Sequence, residues 1–195
     1  MDNASRSDRT RSRLINAAIE LLAERGYRSL SLVEVARRAG LSRGAVHHHF
    51  DSLTDVVIGV VREVGARIST SIRAIEYEGM PREAVVSAGI DNAYEQLMTA
   101  EFAALMQIRS AVRTSPELHG AVQDELRQVI YDWYAQAEVI ANAAMTKAGS
   151  ELLIVVMAAV NGVALLDEAI GTPAEDPDRR AFRATLAAMV LGADA

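Results

Sequence analysis

Three histidines stand in a row, His47, His48 and His49, within the stretch GLSRGAVHHHF from Gly40 to Phe50. Imidazole near neutral pH ligates metals, moves protons or, when charged, contacts anions. Spacing decides among these. Successive residues of an α-helix point about 100° apart, because a turn takes about 3.6 residues. Three adjacent imidazoles on a regular helix therefore do not converge on one ion. Helical metal pairs need i, i+3 or i, i+4 spacing, as in H-E-x-x-H, which this stretch lacks. No metal site is expected. Contact of His47 and His48 with a polyanion is the better reading. His49 stands at the helix end. The plain alternative is a set of surface imidazoles at a helix C-terminus, where the dipole favours their charged form.

Other chemistries find less support. The chain has no cysteine, which excludes disulfides, thiolate catalysis and Cys-based zinc sites. There is no nucleophile–base pairing and no glycine-rich phosphate cradle following a strand. Asp91 with Glu95, and Asp124 with Glu125, are carboxylate pairs of a kind that helix surfaces commonly carry. No catalytic residue, no cofactor and no enzyme activity are expected. Charge points elsewhere. The first fifty residues hold nine arginines and five acids, a balance of +4, so the rest carries −10 of the chain's net −6. A basic head on an acidic body can approach polyanions although the whole chain is acidic.

These residues must be positioned by helices. In 9–25, Leu14, Ile15, Ala17, Ala18, Leu21 and Leu22 repeat at helical spacing, and Gly26 ends the run. Ser31 and Glu34 have the spacing of a capping box, opening a second helix with Val35, Ala36 and Ala39 on its inner face. Gly40 permits a tight turn. Ser42 is the expected N-cap of a third helix over 43–49, and Ser52 with Asp55 caps a fourth that reaches about residue 73 or 75. After a break at EYEGMPRE, helices follow over about 81–99, 101–113, 116–147, 150–170 and 178–191. Pro116 suits a first turn, and Gly171, Thr172 and Pro173 end the penultimate helix. No strand is evident. The expected fold is all-α with about nine helices. Residues 1–50 form a basic head with a flexible arm, residues 51–195 a helical body, and the fourth helix (52–75) connects them.

No stretch of about 18 residues is uniformly apolar, so no membrane span is expected. The richest run, ELLIVVMAAVNGVALLDEAIG, is interrupted by Asn161, Asp167 and Glu168. The basic N-terminus is not followed by the apolar region of a secretory signal. A cytoplasmic location is the expectation.

The second and third helices are joined by about three residues, AGL. Two short helices joined by a glycine-containing turn are a helix-turn-helix unit. In such a unit the first helix braces on the DNA backbone while the second lies in the major groove, which is wide enough for it. Ser42, Arg43 and Ala45 begin that second helix, where small residues allow close approach. Over residues 14–57 the chain resembles the TetR family of bacterial transcriptional regulators. Gly26-Tyr27, the cap Ser31, Val35-Ala36 and the run Gly40 to Phe50 fill the family's slots in order and spacing. It departs from the pattern where Ala45 replaces a usual threonine, His47 a usual tyrosine and Leu53 a usual lysine. The resemblance implies DNA contacts from Ser31, Ser42, Arg43, Gly44, Ala45, His47, His48 and His49. The arm with Arg6, Arg9, Arg11 and Arg13 would compensate for the missing contacts through phosphate or the minor groove.

The resemblance also implies a body that binds a small molecule and dimerises. Tyr94, Met98, Phe102, Met106, Arg109, Arg113, Trp133 and Tyr134 are the candidate pocket residues. Pockets between helices are mostly apolar with a few polar groups to orient the ligand. Met98, Phe102, Met106 and Arg109 share roughly one stripe, which could equally be plain core. Arg109 and Arg113 could face an anionic group or pair with Asp91, Glu95 or Glu101. Small residues among aliphatic ones in 150–170, and the apolar face of 178–191, suit a four-helix homodimer contact. The function implied is a ligand-responsive repressor that binds a near-palindromic double-stranded operator as a dimer and is released by a small, largely apolar effector. The competing reading is an all-helical small-molecule-binding protein or enzyme whose head no longer grips DNA strongly, or a scaffold.

Overall fold

The computed structural model describes residues 3–144, 149–170 and 176–192. Among these are nine α-helices and no strand. In chain order they are α1 (Asn3–Arg25), α2 (Leu32–Ala39), α3 (Arg43–His49), α4 (Leu53–Arg73), α5 (Arg82–Leu97), α6 (Ala100–Val112), α7 (Pro116–Ala143), α8 (Gly149–Ile170) and α9 (Pro177–Gly192). The all-α expectation holds, and most boundaries fall within a few residues of the periodicity. The expected end of the seventh helix at 147 and the stop at Gly171, Thr172 and Pro173 lie outside the described residues.

The helix starts follow the local chemistry. Ser31 accepts the Glu34 backbone N–H at 3.2 Å. The reciprocal half of that capping box is missing, because the Glu34 carboxylate turns to Arg37, whose Nη2 donates to it at 2.6 Å. The reciprocal box forms at α4 instead. There the Ser52 N–H donates to Asp55 at 2.8 Å, and the Asp55 N–H donates to Ser52 Oγ at 3.1 Å. Gly40 closes α2 in the left-handed region at φ 64°, where glycine alone avoids a Cβ penalty.

One expectation is corrected. The basic arm is not a flexible tail: α1 begins at Asn3 and carries Arg6, Arg9, Arg11 and Arg13 on helical turns. Residues 3–8 offer no apolar stripe, so periodicity placed the helix start only at about residue 9. Extending an established helix costs far less than starting one, and the buried segment from Leu14 supplies the nucleus. A short 3-10 turn, Tyr27–Ser29, between α1 and α2 was also not foreseen.

The chain forms two compact units. One comprises Met1–Ala66 with Ala100–Val129, the other Arg67–Thr99 with Ile130–Ala195. The packing boundary therefore differs from the functional division expected at residue 50. In the first unit α1 packs against both α2 and α6. Leu14, Ile15, Leu21, Leu22, Val35, Val46, Phe50, Val57, Phe102 and Ile108 are all buried. Gly59 of α4 lies so close to α1 that a Cβ there would stand 2.6 Å from Ile15 Cδ1. In the second unit α5 packs on α8 and α9, around buried Val86, Ile90, Tyr94, Val156, Val160, Leu186 and Val190. No helix, among the described residues, is long and apolar enough to cross a membrane.

Candidate nucleic-acid interface

The reading helix α3 is seated by two apolar side chains. Val46 is fully buried and Phe50, its C-cap, nearly so. Ser42 starts the helix by accepting the Ala45 N–H at 3.2 Å. With Val46 turned inward, Arg43, Gly44, His47 and His48 are exposed, while Ala45 and His49 are half-buried. Every helical turn thus sends its aliphatic residue into the protein and its donors outward.

The bracing helix α2 is tied to α1 by charge. Arg38 reaches Glu20 at 2.9 Å and also pairs with Glu24. The hydrogen bond and charge of Arg38 hold the Glu24 carboxyl below its ordinary pKa, and both carboxylates raise that of Arg38. Arg13 donates to the Ala39 carbonyl at 2.7 Å, at the C-terminal end of α2. Arg11 lies over the Phe50 ring, 5.4 Å from its centroid. These two arginines therefore anchor α1 to the helix-turn-helix unit. Arg6 and Arg9 remain exposed.

Between the first turns of α1 and α3 lies an open depression of about 650 Å³, lined by Arg6, Ser7, Thr10, Ser42, Ala45, His48 and His49. It brings together five of the residues expected to touch DNA. Arg43, Gly44 and His47 sit on the same short helix, and Arg9 on α1. Ser31 is half-buried at the start of α2, its oxygen engaged as a cap. Ser7 was missed because residues before 9 were read as an unstructured arm; Thr10 lay within the expected helix, but nothing in its spacing set its hydroxyl beside α3.

The histidines are not equivalent. The rings of His48 and His49 meet edge to face, 5.3 Å apart with planes at 76°. Partial burial, then the nearby His48 and Arg11 charges, lower the pKa of His49 below its ordinary value of 6.5. Among the described residues no group of three His, Asp or Glu side chains is placed to hold a metal ion.

Of the two short helices, α2 packs on α1 and α3 on α2, and this part of the chain has known counterparts. Residues 14–58 match the sequence model for bacterial regulatory proteins of the tetR family. Over this segment the chain resembles the TetR family. The match of the TetR family covers α1 from Leu14 through α2 and α3 to the first turns of α4. The HTH-type transcriptional regulator CymR of Pseudomonas putida is 28% identical over 120 residues, which is 62% of this chain and 59% of that protein. A transcriptional regulator from Rhodococcus sp. Rha1 is 25% identical, with a TM-score of 0.74 over 94% of this chain and 96% of that one. The fold also matches that of FadR from Bacillus subtilis, solved with stearoyl-CoA, at 14% identity and a TM-score of 0.71 over 93% of this chain and 98% of that one.

The candidate effector residues fall in both compact units. Tyr94, Met98, Trp133 and Tyr134 belong to the second unit, whereas Phe102, Met106, Arg109 and Arg113 belong to the first. α5 ends at Leu97 and α6 begins at Ala100, so Met98 and Phe102 do not share a helix. Phe102 and Tyr94 are each only 1% exposed, whereas Met98 and Tyr134 are exposed. Arg109 donates to the Met106 sulfur at 3.6 Å. Asp91 pairs with Arg183 at 2.7 Å. That guanidinium lies over the Tyr94 ring, 4.6 Å from its centroid, beside a small cavity of about 250 Å³ that includes Ser87, Ile90 and Arg180. Sequence spacing carried no sign of this pairing, because its partners are ninety-two positions apart.

Proposed function

We propose that this chain is a DNA-binding transcriptional repressor of the cytoplasm, with residues 1–50 as the reader and the remainder as the ligand-responsive, dimerising body. The observation that carries the reading is the depression between α1 and α3. Arg6, Ser42, His48 and His49 line it, beside the exposed Arg43, Gly44 and His47. Guanidinium, hydroxyl and imidazole groups on a seated short helix suit phosphate and base-edge contacts.

Dimerisation through α8 and α9 is supported by apolar side chains that the protein leaves in solvent. Val155, Leu165 and Leu166 on α8 and Met189 on α9 are 62%, 40%, 61% and 54% exposed. A two-fold pair would bring two readers to half-sites about one helical turn apart on a near-palindromic operator. Response to a small, largely apolar effector is supported by three buried polar atoms of the second unit, Ser69 Oγ, Tyr77 OH and Asn92 Oδ1, which have no hydrogen-bond partner among the described residues. Leaving such a group unpaired costs about 1–3 kcal/mol, which ligand contacts would offset. FadR, whose fold is similar, was solved with stearoyl-CoA, a molecule with a long apolar acyl chain on a phosphate-rich head. Release requires the effector to bind more tightly to the conformation that fits DNA poorly.

The test is fluorescence anisotropy on duplex DNA from beside the protein's own gene, with chelator present and salt varied. Specific binding with a steep negative salt slope is expected. Affinity no greater than for random duplex at low salt, unchanged by adding metal, would overturn the reading in favour of a small-molecule-binding protein.

A further inference from the structure

We propose that α3 is a guanine reader, with Arg43, His47 and His48 donating to the N7 and O6 acceptors of guanines in each half-site. This inference rests on the DNA-binding reading above and deepens it to the chemistry of the bases recognised.

The argument starts from the rotation of the helix. Val46 is fully buried, which fixes the inward direction of α3. At about 100° per residue, Gly44 and His48 point nearly opposite to it. His47 and Ala45 flank that outward line on either side, and Arg43 and His49 stand at its two edges. The exposure pattern agrees: Gly44, His47, His48 and Arg43 are exposed, Ala45 and His49 half-buried. The Ala45–His49 edge meets α1 at the depression that Arg6 also lines, and His48 borders both that depression and the centre of the face. That edge suits the DNA backbone. The centre of the face and the Arg43–His47 edge are left for the bases.

The chemistry of this face is one-sided. Arginine carries only donors, and imidazole carries at least one ring N–H and two when charged. The segment from Ser42 to His49 contains no Asn, Gln, Asp or Glu. Adenine and cytosine each present an amino donor in the major groove and are best matched by a carboxamide or a carboxylate. Guanine presents two acceptors side by side, which is what a face of donors fits. A neutral imidazole also accepts through its second nitrogen, so Arg43 supplies the discrimination and the histidines add to it. Arg43 is suited to this because it is exposed. By contrast, Arg25, Arg37 and Arg38 are engaged by the carboxylates of Glu34, Glu20 and Glu24.

Gly44 completes the face. A Cβ there would meet only Ser42 Oγ, at an ordinary 3.8 Å. Nothing in the protein requires a glycine at this position, and helices disfavour it. Its missing side chain instead lets the backbone of α3 come close to what lies outside, at the centre of the donor face.

Full-length protein is taken through rounds of selection from a randomised duplex library, and the enriched duplex is remade with 7-deazaguanine, which lacks the N7 acceptor. Guanines are expected to be enriched in each half-site, and the 7-deaza duplex is expected to bind at least about tenfold more weakly. Arg43→Ala combined with His48→Ala is expected to bind both duplexes alike. Gly44→Ala is expected to keep or raise the melting temperature while lowering affinity for the guanine duplex, which separates a lost contact from a lost fold. Enriched sequences without guanine, or equal binding of the two duplexes, would overturn the guanine assignment and leave DNA binding standing. No enrichment, and no salt-dependent binding, would overturn the DNA-binding reading and this assignment with it.

Discussion

Helices α1 to α3 and helices α5, α8 and α9 hide apolar surface in different ways. In the first set each helix is short or anchored at named points. Ser31 and Ser42 cap α2 and α3. Arg38 ties α2 to α1, and Arg13 donates to the Ala39 carbonyl at the end of α2. The apolar residues of α3 face inward and its donors face out. In the second set packing is helix on helix around Val86, Ile90, Val160 and Val190, and large apolar side chains such as Val155 and Leu166 are left exposed. The head has a polar outer face of the kind that suits a polyanion. The body leaves several large apolar side chains in solvent. Exposed apolar patches of that kind mark interaction sites.

This contrast can be tested, beginning with the core of the unit that contains the head. Phe102 was an effector candidate, yet it is 1% exposed in the unit that contains the head. Phe102→Ala is expected to cost about 3–5 kcal/mol in urea denaturation. A loss below about 1 kcal/mol would mean that the ring lines a ligand cavity instead of core. Next comes the apolar face of the body. Leu166→Glu is expected to weaken self-association at least about thirtyfold in sedimentation, with helicity retained. An unchanged mass at the same concentration would remove α8 from the interface.

A smaller effect is expected in the head. Ser42→Ala deletes the acceptor that caps α3 and should lower stability by about 1 kcal/mol. No change in the melting curve would show that α3 is held by Val46 and Phe50 alone. The smallest effect is that of pH. Since the pKa of His49 is lowered on folding, the unfolded chain binds the proton more readily. Its contribution to stability is therefore present above about pH 6.5 and is lost as pH falls through the folded value. DNA phosphate favours the charged ring, so affinity should move the opposite way and rise over the same fall in pH. His49→Gln should flatten both profiles in thermal melts and anisotropy titrations, and an unchanged slope in both would count against this role.

Much of the head was legible because its determinants are local. A cap is a serine three residues from a backbone N–H. A turn is a glycine that tolerates φ 64°. The fourth helix start was readable from Ser52 and Asp55 alone. The helical continuation of α1 to Asn3 was not, because residues 3–8 lack an apolar stripe and their helix is inherited from the buried segment that follows. The ion pair of Asp91 with Arg183 was equally hidden, since nothing near either residue specifies the other.

By itself, then, the sequence determined the helices, their caps, the two-helix reader and the donor-rich character of α3. These depend on contacts within a few positions along the chain, where backbone geometry fixes which residues meet. Only the tertiary structure decided that Arg11 and Arg13 anchor α1 while Arg6 faces the groove, that α6 packs with the head, and that Phe102 and Tyr94 are core. Those outcomes depend on which helix faces which, and burial against a distant partner is a property of the packed chain and not of any single stretch of it.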